Sequence, residues 1–79
     1  MGGVAYGRKV REDDESVSYT FAIEPASPEG VLVIPVVDPD AWYVDGSDAR
    51  PTAALRVLGK AVLTFRRSGS WPELVAFQS

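Results

Sequence analysis

A single change of hydrophobic period divides this chain, and it limits the fold more than any other feature. Up to Val44 the apolar residues favour every second position, whereas from about Pro51 to Arg67 they recur at spacings of three and four. The first period belongs to strands and the second to a helix. One helix covers only one face of a sheet. A chain of 79 residues has room for one domain, 1–79, and for one such pair of layers. The sequence therefore predicts an α+β fold: a mostly antiparallel, four- to five-stranded sheet in the order β-β-β-β-α-β, with one helix packed on one face.

The strands are read from alternation and turn chemistry. Val17, Tyr19, Phe21 and Ile23 alternate with Ser18, Thr20 and Ala22, and upstream Val4, Tyr6, Arg8 and Val10 alternate with small or charged residues. Between them Glu12-Asp13-Asp14-Glu15 reads as a solvated hairpin tip. With Asp13-Asp14 at the tip, Val10 faces Val17, Arg8 faces Tyr19, Tyr6 faces Phe21 and Val4 faces Ile23. This register gathers the apolar partners on one face and lays Arg8 over Tyr19. Glu24 to Gly30, with Pro25 and Pro28, is a connecting loop. Val31 to Val37 is a third strand, and Asp38-Pro39-Asp40-Ala41 suits a type I turn. Trp42-Tyr43-Val44 returns as a short fourth strand with Val37 opposite Trp42. Asp45 to Asp48 turns again, and Glu73 to Phe77 is the last strand.

For the helix, Ala54, Leu58, Ala61, Val62 and Phe65 form the apolar stripe, with Leu55 at its edge. Asp48 or Thr52 is placed to cap the start, Arg66 and Arg67 suit the negative end of the dipole, and Gly69 stops it. Gly59 weakens the interior by up to ~1 kcal/mol relative to Ala. Ending the helix there would make Ala61 to Arg67 a strand, but the stripe runs through Gly59 unbroken and favours one helix.

Composition removes whole classes of chemistry. The chain has no cysteine and no histidine, so disulfides, thiolate sites and the commonest general base and metal ligand are absent. No Walker-type loop or G-x-G-x-x-G is present. Asp38 and Asp40 form a carboxylate pair, but nothing in their surroundings predicts the burial that acid–base work needs. Asp38, Asp40, Asp45 and Asp48 gather four carboxylates without the spacing of a calcium loop, and turn chemistry accounts for each of them. No cofactor and no metal are expected. A net charge of −3 disfavours nucleic acid, and Arg56, Lys60 and Arg67 along one arc of the helix read as an ordinary solvated face. The longest run without a polar side chain, Gly30 to Val37, is far short of the ~20 residues that span a bilayer. No membrane is expected, and a cytoplasmic location is the default.

What remains is a surface. Val31 to Val37 is apolar on both faces, with Val31, Val33 and Val37 on one and Leu32, Ile34 and Val36 on the other. Pro35 cannot donate to a ladder, which points to an edge or a bulge. An uncovered apolar edge strand is a surface that native proteins hide. Short chains also bury a modest fraction of their surface, and self-association is a remedy open to them. The function expected is a small accessory protein that acts by protein–protein binding, as a homodimer or with a protein partner, through Val31, Val33, Ile34, Val36 and Tyr43. The alternative is a small-ligand pocket between helix and sheet, lined by Phe21, Trp42 and Phe65.

Overall fold

Antiparallel strands, a single helix and a return strand are what the period change demands, and the structure has this order. A computed structural model describes residues 4–24 and 27–78. The strands are β1 (Val4–Glu12), β2 (Ser16–Phe21), β3 (Gly30–Pro35), β4 (Tyr43–Val44) and β5 (Leu74–Gln78), and the helix α1 (Thr52–Ser68) lies between β4 and β5. They form one five-stranded sheet in the order β4-β3-β2-β1-β5, with every pairing antiparallel. Pro25, assigned to the loop by composition, lies outside the described residues.

The helix buries Ala53, Ala54, Val57, Leu58 and Ala61, and Val62 and Phe65 pack at the edge of the core. It therefore turns slightly further than the predicted stripe, bringing Ala53 and Val57 inward and leaving Leu55 outside. Gly69 ends it in the left-handed conformation at φ 81°, where its N–H donates to the Phe65 carbonyl at 2.7 Å. Neither Asp48 nor Thr52 caps the start. Pro51 holds that position without a side-chain bond, since its fixed φ already suits a helix entry.

The hairpin of β1 and β2 corrects the predicted register. Glu12 lies opposite Val17, Arg11 opposite Ser18 and Lys9 opposite Tyr19, with a bulge between Lys9 and Arg11. Farther along, Tyr6 exchanges backbone bonds with Ala22. Val10 is the residue without a partner, so it does not face Val17, and Tyr6 does not face Phe21. The Tyr6–Ala22 pairing sets Ile23 beside Ala5 and not Val4, and Arg8 is not over Tyr19, which pairs with Lys9. The reason is the helix. A Cβ on Gly7 would come within 2.7 Å of Val57 Cγ1 and 2.9 Å of the Thr20 carbonyl oxygen. β1 therefore turns its small residues, Ala5 and Gly7, toward α1 and its larger ones away. Alternation alone favours the bulky set inward, and close approach of the helix reverses that choice.

Two further expectations change. β3 is not an edge along its whole length, because β2 flanks it throughout and the short β4 pairs with Leu32 and Val33. Pro35, its last residue, pairs with Ser16 alone and lies beyond the reach of β4, on the open edge that its missing N–H suits. Val37 does not face Trp42: it is 92% exposed. The turn from Asp38 closes with the Ala41 N–H on the Asp38 carbonyl at 3.0 Å and continues as a short 3-10 helix, Pro39–Ala41. That extra winding carries Trp42 into the core, and Tyr43 then pairs with Val33.

Candidate interaction surface

Because one helix covers one face, the other face of the sheet is covered by no helix or strand among the described residues. Strand alternation sends Val17, Tyr19, Phe21, Leu32, Ile34, Val44 and Val75 into the core beneath α1. The opposite positions line the open face. On the central strand β2 these are Ser16, Ser18 and Thr20, continued by Ala22, all small. On the flanking strands they are larger: Tyr6 and Arg8 on β1, Val31 and Val33 on β3, Tyr43 on β4 and Leu74 on β5. Small residues along the middle with larger ones at either side make a trough. Its floor is buried even without a covering layer, with Ser18 only 7% and Ala22 only 3% exposed.

The trough has two half-open depressions. The one of about 370 Å³ is walled by Val10, Val31, Val33 and Tyr43 over a floor that includes Ser18, and its rim carries Arg11, Asp13, Glu15 and Asp45. Polar surface outweighs apolar surface in it, and non-obligate protein interfaces are likewise no more apolar than the rest of a protein's surface. The bulge contributes directly, since the unpaired Val10 lines this depression. The other, about 330 Å³ and the more apolar of the two, is lined by Tyr6, Arg8, Thr20, Ala22, Pro28 and Leu74 among others.

The interface candidates divide by parity. Val31 and Val33 are half-buried on the open face and Tyr43 is exposed beside Val33. Ile34 is fully buried in the core, and Val36 packs against it. These two are presented to the helix side and not to the open face. The three pocket candidates fill the core: Phe21 and Trp42 are buried, and Phe65 stacks on Trp71 with ring centroids 4.4 Å apart. None of them lines either depression, and both depressions lie on the side of the sheet away from α1. Among the described residues no three carboxylates gather to hold a cation, and no helix is long and apolar enough to cross a membrane. Of the helix cations, Arg56 lies 5.7 Å from the centroid of the Phe77 ring.

Electrostatics firm up the margins of this face. Asp13 accepts the N–H groups of Glu15 and Ser16, both at 2.9 Å. Those bonds, Ser16 first, hold its carboxyl below the usual range, and Arg11 at 3.2 Å adds to the effect. On the core side Tyr19 donates its hydroxyl proton to the Pro72 carbonyl at 2.6 Å. Its burial, and then the charges of Glu12 and Glu73, push its pKa well above the usual value. Lys9 reaches Glu12 at 2.6 Å and Glu73 at 3.2 Å, and the bond to Glu12 leads in raising its pKa. All three groups move away from neutrality, the opposite of what acid–base catalysis requires.

Val10, Ser18 and Tyr6 were not legible as surface residues in the sequence. The one available signal was the run of small residues Ser16, Ser18, Thr20 and Ala22, which becomes a trough only when its strand is central. Comparison with protein-family models, curated proteins and solved structures finds no match for this chain.

Proposed function

We propose that this chain is a small protein-interaction module that docks a protein surface on the open face of its sheet. The observation that carries the reading is the depression over Ser18, a mixed surface in which Val10, Val31, Val33 and Tyr43 stand among Arg11, Asp13, Glu15 and Asp45. Tyr43 is 51% and Val10 54% exposed, and clustered exposed apolar groups of this kind are characteristic of docking sites. Tyr is also the residue type that concentrates binding energy at low entropic cost.

Native mass spectrometry of the chain recovered gently from its host tests this, with Val33→Asp as the comparison. The wild type is expected to carry mass beyond the 8.5 kDa chain, and Val33→Asp to lose it while keeping its circular-dichroism melt. A wild-type chain recovered only at its own mass, or extra mass untouched by Val33→Asp, refutes the reading.

A further inference from the structure

The depression over Ser18 is crossed by one row of cross-strand neighbours. Arg11 on β1 lies opposite Ser18 on β2, Ser18 opposite Val33 on β3, and Val33 opposite Tyr43 on β4. With strands ~4.8 Å apart the row spans ~14 Å. It reads cation, small, large, aromatic. The Arg11 side chain is 75% exposed, and its ion pair among the described residues is with the rim carboxylate Asp13, at 3.2 Å, a contact of little net strength in water. Tyr43 stands exposed at the other end with Asp45 nearby on the same rim.

From this row, and resting on the docking reading above, we infer that the partner is a second copy of this chain, packed sheet against sheet about a two-fold axis. A symmetric interface needs a patch complementary to its own reversal. A two-fold lying between the faces, along the boundary of β2 and β3, reverses the row. It sets Arg11 over the partner's Tyr43 and Val33 over the partner's Ser18, and the symmetry repeats both contacts. Each guanidinium then meets an aromatic face, with the partner's Asp45 close by. Each valine meets the lowest point of the opposing trough, so large side chains pack on small ones across the ~10 Å gap of aligned sheets. A shift by one strand would set Val33 against the partner's Val33 and leave the cations without aromatic partners.

Sedimentation equilibrium of the full chain over a wide concentration range reads the outcome. A two-chain species is expected. Arg11→Ala and Tyr43→Ala should each weaken it about 5- to 30-fold, from two symmetric cation–π contacts. The double variant should be scarcely weaker than the stronger single, because both remove the same contact. Val33→Asp should give monomer. Circular-dichroism melts of all four variants, expected close to wild type, separate association from folding.

The free edge of β5 is the competing contact. Tyr6 bonds toward β2 at Ala22, so alternation turns the N–H of its β5 partner Ala76 outward. Ala76→Pro should therefore leave the dimer intact. Loss of the dimer in Ala76→Pro, or an unchanged dissociation constant in Arg11→Ala and Tyr43→Ala, overturns the two-fold row. A chain that stays monomeric throughout also overturns it. If host-recovered material still loses another protein on Val33→Asp, the docking reading survives that result.

Discussion

Replacing Gly7 by alanine tests the feature on which the whole face assignment depends. Gly7 sits on β1 opposite Val75 and directly beneath α1. Its added methyl would lie 2.7 Å and 3.3 Å from the two γ-carbons of Val57, which is fully buried, and 2.9 Å from the Thr20 carbonyl oxygen. Carbon atoms in contact sit ~3.5–4.0 Å apart, so α1 or β1 must shift. Gly→Ala at an unstrained position would stabilise by ~0.4–1 kcal/mol through the unfolded chain. Overpacking a close-packed site costs ~1–3 kcal/mol. The net expectation is a loss of about 1–2 kcal/mol. At ~4–8 °C per kcal/mol for a domain of this size, the melting temperature should fall by about 4–16 °C. Thermal and urea unfolding followed by circular dichroism measure this, with an unchanged m-value confirming that the folded state is retained. In a Val57→Ala background the cost should shrink without vanishing, because the backbone oxygen of Thr20 remains. Gly59→Ala is the matched control. A Cβ there meets nothing within 4 Å, so a helix-interior alanine should stabilise by about 0.5–1 kcal/mol. If Gly7→Ala proves neutral or stabilising, the helix does not rest on β1 as closely as described, and the reason given for the reversed register fails.

Tyr19→Phe removes the bond to Pro72 and should cost about 0.5–1.5 kcal/mol near neutral pH, read from urea midpoints. The wild-type hydroxyl is held protonated in the fold, while the unfolded chain titrates near the ordinary value of 10.0. Its contribution is therefore full below pH 10 and is lost as pH rises above it. The gap between wild type and Tyr19→Phe should narrow when the same midpoints are taken in alkali, and a constant gap would count against the buried hydroxyl. Arg50 donates to the Trp42 carbonyl at 2.7 Å and lies 4.6 Å from the centroid of its ring. Arg50→Ala should lower stability by about 1 kcal/mol and alter the fluorescence of Trp42, with Trp42→Phe as the spectral control.

The amino-acid sequence by itself determined the elements. Alternation in β2 and β3, the single switch to helical spacing, the stop at Gly69 and the turn at Asp38-Pro39 are local properties, and each appears within a residue or two of where the sequence puts it. Alternation also sorted Val31 and Val33 from Ile34 along β3, because successive side chains must point to opposite faces. It did not say which face the helix would take. That choice belongs to the tertiary structure: α1 lies on the side of Leu32 and Ile34, and this alone leaves Val31, Val33 and Tyr43 on the open face. The same holds for β1, where Val4, Tyr6 and Val10 look like a core set until Gly7 must admit Val57. Strand period is a one-dimensional property. The distance of closest approach between two layers is three-dimensional, and here it decided which half of each strand became core and which became surface.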